Sequence, residues 1–206
     1  MRRDTINSRF HRLGFSVKAI TASIVAFCVW LYLPLGVLAF GCFLYLHLLL
    51  RYVARTPADT TSILSPIDGR VVTIESDGDS TQLTLMSDWL GSQMIYAPMT
   101  GVVHDKLWMD GLYLPPNVAT EASDAARFEV YMRDHDDRAI IMKLYGTHFT
   151  RLLHVPFEEG QSVMRGEPFG FALLRAQITI HLPQDFKIKV SEGEYCLAGQ
   201  TAIAAD

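Results

Sequence analysis

The chain has 206 residues, half of them hydrophobic, and this length suits one or two domains. Its formal net charge of −4 is unevenly divided along the chain. Residues 1–55 carry seven basic residues and one acidic residue, and the remainder carries 11 basic and 21 acidic residues. The acidic remainder lacks a basic aromatic patch, which argues against nucleic-acid binding. The three cysteines match neither a disulfide framework nor a zinc site, so no metal site is expected.

The first predicted element is an apolar segment. From Ala19 to Leu50 there is no Lys, Arg, Asp or Glu, and the run exceeds the roughly 20 residues that cross a bilayer. No Ala-x-Ala site closes it, so a retained anchor is favoured over a cleaved signal peptide. Pro34 and Gly36 divide it into two arms, at residues 17–33 and 37–53.

Basic residues flank both outer ends of this segment, and its central turn has none. The positive-inside rule therefore places both ends in the cytosol. We predict that residues 1–55 form a helical hairpin, fully or partly inserted in the inner (cytoplasmic) membrane. A single long kinked helix is the alternative.

Residues 56–206 form the second predicted domain, facing the cytosol. "TPADTTSILSP" (Thr56–Pro66) is interpreted as a polar linker, and short β-rich runs with turn signals between them follow it. Helical periodicity is weak throughout, although "NVATEASDAARFE" (Asn117–Glu129) has room for a helical turn. We predict a mainly antiparallel β domain, a sandwich or flattened barrel.

Turn glycines narrow this prediction. Glycine permits positive φ in tight turns between strands. Two glycine pairs share one spacing: Gly160 with Gly166, and Gly193 with Gly199. Together with the turn in "YAPMTGVV" (Tyr96–Val103), they are typical of barrel-sandwich hybrid domains, including biotinyl and lipoyl carriers. A carrier role is not expected, because the hairpin tip lacks the lysine that carriers need.

The order of these pieces resembles the short, membrane-anchored class of phosphatidylserine decarboxylases, which includes the archaeal archaetidylserine enzymes. Each motif is weak alone, but six in order at similar spacing are specific. The matching stretches are "RYVARTP" (51–57), "SPIDG" (65–69), "QMIYAPMTG" (93–101), "AAR" (125–127), "GQSVMRGEPFGFALLRAQITIHLP" (160–183) and "GEYCLAGQTAIA" (193–204).

This resemblance implies covalent chemistry. In the family a Gly-Ser bond cleaves itself, and the serine becomes an N-terminal pyruvoyl group. That group forms a Schiff base with the lipid amine and serves as an electron sink when CO₂ leaves. The resemblance also implies an acidic residue and a histidine that promote self-cleavage.

The chain departs from the family pattern at the reactive positions. The acid is kept as Asp68, but the histidine falls on Gln93, which cannot act as a base near neutral pH. The Gly-Ser pair falls on Arg175 and Ala176, and alanine has no hydroxyl to attack with. Of the third motif only Arg127 remains, as a candidate substrate-binding residue. No catalytic residues and no pyruvoyl cofactor are expected, and Asp68 is expected to cap its own turn.

Three other features have simpler interpretations. No glycine precedes Thr179, so it is not expected to replace the missing serine. "RDHDDR" (Arg133–Arg138) could form a metal or acid–base site, but a solvated hairpin turn is favoured. "GLYLPPN" (Gly111–Asn117) is interpreted as an ordered loop, with a loop that dips toward lipid as the alternative.

The sequence therefore predicts a membrane-anchored, phosphatidylserine-decarboxylase-like protein that is catalytically inactive. It would act as a binding or scaffold protein, with membrane phospholipid as its partner. The alternative is an active carboxy-lyase or other phospholipid enzyme that uses non-standard residues. A homo-oligomer and a membrane-protein partner are both left open.

Overall fold

The computed structural model describes residues 18–49, 51, 53–57, 62–78, 80–89, 91–114, 124–145, 155–172 and 175–205. The chain divides into two compact units, Met1–Tyr52 and Val53–Asp206. Arg55, which the sequence groups with the apolar segment, therefore belongs to the second unit.

The first unit contains two helices. The described part of α1 covers residues 18–31, and α2 is Leu33–Leu49. The predicted break at Pro34 and Gly36 was wrong in position, because both residues lie within the first turn of α2. Proline is tolerated there, since its missing N–H would have no partner inside the helix.

The first unit bends sharply near Pro34. A Cβ at Gly36 would lie 2.5 Å from Val29 Cγ2 and 2.8 Å from Val29 Cα. Residues seven apart are separated by about 10 Å along a straight helix, so the bend brings these two positions together. Gly36 is buried in this contact, where a larger residue would clash with the Val29 backbone.

Among the described residues, no helix combines the length and the apolar character needed to cross a membrane. The membrane-inserted part of the predicted hairpin is therefore unsupported.

The second unit is mainly antiparallel β structure, as predicted. The described strands are β1 Ile63–Leu64, β2 Gly69–Asp77, β3 Ser80–Ser87, β4 Met94–Tyr96, β5 Gly101–Met109, β6 Arg127–Arg133, β7 Ala139–Tyr145, β8 Ser162–Val163, β9 Pro168–Phe171, β10 Gln177–Pro183, β11 Lys187–Ile188, β12 Tyr195–Cys196 and β13 Ala202–Ala205.

One eight-stranded sheet dominates the unit, in the order β12-β2-β3-β10-β7-β6-β5-β8. Two small sheets accompany it, β1-β13-β11 and β4-β9. Strand β10 lies near the centre, paired antiparallel with β3 on one side and β7 on the other. Long-range pairing of this kind places the segment that resembles the family's cleavage motif in the middle of the sheet.

The core lies against one face of the large sheet. Side chains alternate between faces along a strand, and the apolar positions of four neighbouring strands coincide on one side. Full burial of an aliphatic side chain of this size contributes about 1.5–3 kcal/mol. Core residues at most 1% exposed include Leu83, Leu85, Val130, Met132, Met142, Leu144, Ile178 and Ile180.

The predicted linker was wrong in its last part. Ile63 and Leu64 form β1, which pairs with β13, and Leu64 N–H donates to Pro98 O. Both side chains are at most 3% exposed. The suggested helical turn is not present at Arg127–Glu129, which begin β6. Residues 117–123 of that segment, residues 115–117 of the predicted loop 111–117, and the β-rich run at residues 149–154 lie outside the described residues.

The turn glycines behave as their spacing predicts. The two pairs have positive φ: Gly160 77°, Gly166 73°, Gly193 82° and Gly199 65°. Gly69 serves a different purpose, since a Cβ there would lie 2.0 Å from Met86 O across the strand pair. Its requirement is close backbone approach rather than an unusual φ.

Candidate functional site

The chain that follows β3 gathers the sequence-predicted positions. Ser87 N–H donates to Ala176 O at 2.9 Å, and Asp88 N–H donates to Asp68 O at 3.0 Å. Gln93 Nε2 donates to Asp88 O at 3.1 Å. Residues at the end of β3 and directly after it therefore contact positions that are far apart in sequence. We call Asp68, Gln93, Arg175 and Ala176 the altered cleavage site.

Asp68 anchors this site through three hydrogen bonds. Its Oδ2 accepts from Arg55 Nη2 at 2.8 Å and from Ser92 N–H at 3.1 Å, and its Oδ1 accepts from Ala198 N–H at 2.8 Å. The residue is 2% exposed. The expectation that Asp68 caps its own turn was wrong, since these donors come from three other segments. A carboxylate committed to them supports the fold and is poorly placed to accept a proton from a substrate.

Arg55 is a site residue that the sequence reasoning missed. Its side chain is 9% exposed and forms the 2.8 Å ion pair with Asp68, and its Nη1 donates to Gln200 Oε1 at 3.3 Å. Nearby, the hydroxyl of Tyr96 donates to Val53 O at 2.5 Å. The position of Arg55 in the first matched stretch (51–57) could have identified it as a site residue. The sequence instead groups it with the basic residues that flank the apolar segment.

Gln93 occupies the family's histidine position as a structural side chain. It is 3% exposed, and its Nε2 donates to Asp88 O at 3.1 Å and to Gly91 O at 3.2 Å. The amide therefore holds the connection after β3 in shape. It has no basic nitrogen that could remove a proton.

The turn before β10 has a backbone conformation that favours glycine. Arg175 has φ of +51°, in the left-handed region that costs a non-glycine residue about 1–2 kcal/mol. Its guanidinium lies 5.4 Å from the centroid of the Trp89 ring, a distance suited to a cation–π contact. Ala176 is 5% exposed. The backbone at Arg175 is left-handed, and the residue after it has only a methyl group.

Buried polar atoms without hydrogen-bond partners concentrate around this turn. Of the seven in the part of the chain that the structure describes, five belong to Arg55 (Nε), Ser87 (Oγ), Gln93 (Oε1), Arg175 (Nε) and Gln177 (Oε1), and the other two are Ser62 Oγ and His181 Nε2. Such atoms are few in native proteins and mark positions for water or a polar ligand. The set offers donors and acceptors, but it contains no group able to form a pyruvoyl carbonyl. The residues present therefore do not fit the family's route to that cofactor.

Arg127 lies apart from the turn. It is the first residue of β6, where it pairs with Tyr145 of β7, which in turn pairs with Gln177 of β10. Its Nε forms a 2.6 Å ion pair with Glu129 Oε1. Burial alone would raise the pKa of Glu129, but hydrogen bonds from Arg127 and Tyr131 and the nearby Lys143 hold it below its ordinary value.

Thr179 is part of the sheet rather than a substitute nucleophile. It is fully buried in β10, and its Oγ1 lies 3.1 Å from Thr84 Oγ1 on the neighbouring strand. Both of its neighbouring strands pair with it in register. A residue in regular ladder geometry lacks the strained turn that self-cleavage uses.

The charged stretch Arg133–Arg138 is a hairpin turn between β6 and β7, as predicted. Ion pairs within it join Arg133 to Asp137 at 2.9 Å and Arg138 to Asp134 at 2.8 Å. In the described part of the chain, no group of three or more His, Cys, Asp or Glu side chains is arranged to hold a metal ion.

Comparison with known proteins finds phosphatidylserine decarboxylase proenzymes among the relatives of the chain, although no family model matches it. The phosphatidylserine decarboxylase proenzyme of Beijerinckia indica subsp. indica is 25% identical over 202 residues, covering 93% of this chain and 84% of its own length. That of Wolbachia pipientis wMel is 25% identical over 212 residues, with 94% and 90% covered. That of Xanthobacter autotrophicus is 24% identical, with 94% and 87% covered. The chain is therefore similar to phosphatidylserine decarboxylase proenzymes over nearly its whole length.

Proposed function

We propose that this chain is a membrane-associated member of the family that does not cleave itself, makes no pyruvoyl group, and acts by binding phospholipid. The observation that carries the proposal is the turn before β10. Its left-handed Arg175 keeps the turn, while Ala176 supplies no hydroxyl for the self-cleavage that the family uses. The loss of the histidine at Gln93 supports the same conclusion.

Binding is supported by the polar atoms around the turn. Unpartnered donors and acceptors in the described residues include the Arg175 Nε and the carbonyl oxygens of the Gln93 and Gln177 amides. A phospholipid head group presents the complementary acceptors and donors. A buried polar set beside a position that lacks the nucleophile is expected for a protein that holds a ligand without transforming it.

Membrane association is supported by the first unit. Large apolar side chains there are highly exposed, including Trp30 at 82%, Leu33 at 69% and Val37 at 67%. Extended exposed apolar surface of this kind marks contact with lipid or protein. Basic residues flank the apolar run, and they would attract the anionic face of the inner membrane.

The intact mass of the purified full chain tests the loss of self-cleavage. We expect one polypeptide of 23.1 kDa that is unreactive toward aminooxy reagents, which label the carbonyl of a pyruvoyl group. A relative that carries the family's Gly-Ser pair, prepared in the same way, is the matched control. Two fragments divided near residue 175, or labelling of a new N-terminus, would contradict the proposal.

The alternative is a carboxy-lyase that recruits non-standard residues. It requires CO₂ release from phosphatidylserine vesicles by the uncut chain, and loss of that turnover in Asp68→Ala without unfolding. The hydrogen bonds of Asp68 count against it, because they leave this carboxylate fully engaged. Absence of CO₂ release above a protein-free control is the result we expect.

A further inference from the structure

Residues 53–57, at the start of the second unit, contact the altered cleavage site, and we call them the strap. Exposure alternates along the strap. Val53 and Arg55 are partly buried, whereas Ala54 and Thr56 are exposed. A period of two is that of an extended chain with one inward face. Because the strap lies outside every described strand, side chains make most of its contacts with the second unit.

Two of the turn glycines form a seat for the strap. A Cβ at Gly166 would lie 3.0 Å from Pro57 Cγ, and a Cβ at Gly199 would lie 3.3 Å from Arg55 Cβ. Both distances are shorter than the roughly 3.5–4.0 Å of ordinary contact between carbon atoms. A side chain at either glycine would therefore push the strap away. These two glycines serve the docking of the strap in addition to their positive φ.

Few hydrogen bonds hold the strap in this seat. The Arg55 guanidinium donates to Asp68 Oδ2 at 2.8 Å and to Gln200 Oε1 at 3.3 Å. The hydroxyl of Tyr96 donates to Val53 O at 2.5 Å. Among the described residues, no backbone-to-backbone hydrogen bond involves the strap, whereas β10 is paired on both sides. A segment held in this way opens at a lower free energy than the sheet beneath it.

The strap covers the carboxylate that anchors the altered cleavage site. Asp68 is 2% exposed, and its other hydrogen bonds come from the N–H groups of Ser92 and Ala198. No ligand reaches a carboxylate buried in this way until a covering segment moves. Release of the strap would bring both charges of the Arg55–Asp68 pair into water together. It therefore avoids the large free energy of leaving one charge buried alone.

We propose that the strap is a gate that regulates access to the altered cleavage site, with the Arg55–Asp68 ion pair as its latch. The strap leaves the seat formed by Gly166 and Gly199, and its release exposes Asp68 to solvent and ligand. Opening is local, so the pairing of β10 stays intact while the strap is released. The purpose of the gate rests on the proposed binding function, but its opening requires no ligand.

Limited digestion of the folded full chain with trypsin tests the gate, because Arg55 is itself a tryptic site that the closed strap protects. Asp68→Asn removes the charge of the latch, and Tyr96→Phe removes only a hydroxyl that holds the strap. We expect the fragment that begins at residue 56 to form about tenfold faster in the first variant and about threefold faster in the second. Asp185→Asn, at an exposed acid, should behave as the parent chain does. If Asp68→Asn does not fold, Tyr96→Phe decides.

Hydrogen exchange of the undigested chain shows whether the site opens together with the strap. The N–H groups of Ser92 and Ala198, which donate to Asp68, should exchange faster in both variants, and that of Ile180 in β10 should not change. Unchanged cleavage of the strap in the folded variants would overturn the gate. Faster cleavage that appears only with faster exchange at Ile180 would also overturn it, since that is global unfolding. Neither readout uses phospholipid, so failure of the proposed binding function would leave both results unchanged.

Discussion

At the scale of single residues, Asp68 stabilises the fold at a position where the matched motif has an acidic residue. It joins Arg55, the chain after β3 and the turn before β13 through one carboxylate. Removing one partner of a buried ion pair costs about 3–5 kcal/mol, because the other charge stays buried. We expect Asp68→Ala to lower the free energy of unfolding by that amount, measured by urea denaturation. The exposed Asp185→Ala is the control and should change it by less than about 0.5 kcal/mol. A similarly small effect at Asp68 would contradict an anchoring role.

His181 gives stability a pH dependence of predictable sign. Its folded pKa lies below the ordinary 6.5 because of burial, so the unfolded chain binds more protons near pH 6. Its contribution is complete above pH 6.5 and is lost as pH falls through 6.5 toward the folded pKa. His181→Gln should flatten the decline in urea midpoint between pH 7.5 and 5.5, in a buffer free of phosphate. Parallel curves for the two proteins would refute this assignment. Glu129 acts separately, below pH 4.5, since its pKa is lowered.

At the scale of elements, the turn before β10 holds an arginine where glycine is favoured. Arg175→Gly relieves the left-handed strain but loses the Trp89 contact and frees the unfolded chain, so we expect a net change within about 1 kcal/mol. Arg175→Val should destabilise by about 1–2 kcal/mol more, because a β-branched residue tolerates this φ poorly. Thermal unfolding of both variants measures the difference. Equal stability of the two would show that the turn relaxes out of the left-handed region.

For the same turn, the proposed loss of self-cleavage predicts which substitutions would restore it. The combined changes Gln93→His, Arg175→Gly and Ala176→Ser put the residues of the family motif on a turn that is left-handed at position 175. We expect part of the purified protein to split near residue 175, visible by intact mass. A matched variant that keeps Ala176 should stay whole, because it lacks the attacking hydroxyl. An uncut triple variant would mean that other changes around the turn also prevent cleavage.

At the scale of the whole molecule, we assign membrane association to the first unit and the altered cleavage site to the second. The first unit exposes apolar side chains such as Trp30 and Leu33, and the second is a compact β structure. We expect the full chain to float with anionic lipid vesicles. Trp30→Asp combined with Leu33→Asp should reduce partitioning roughly tenfold or more, since each loses apolar burial. Val72→Asp, at an exposed position of β2, is the control. Equal flotation of the double variant would move lipid contact elsewhere.

The sequence by itself determined the resemblance to phosphatidylserine decarboxylases, the mainly antiparallel fold and the chemical content of the altered cleavage site. Strand alternation and turn glycines are local properties, and the presence of Ala176 or Gln93 at a motif position can be read directly. The tertiary structure decided which groups act together. It placed Arg55 on Asp68, moved the helix break ahead of Pro34, and aligned Lys143 with Thr179. These depend on long-range strand register and on packing, which bring together residues whose sequence separation carries no signal.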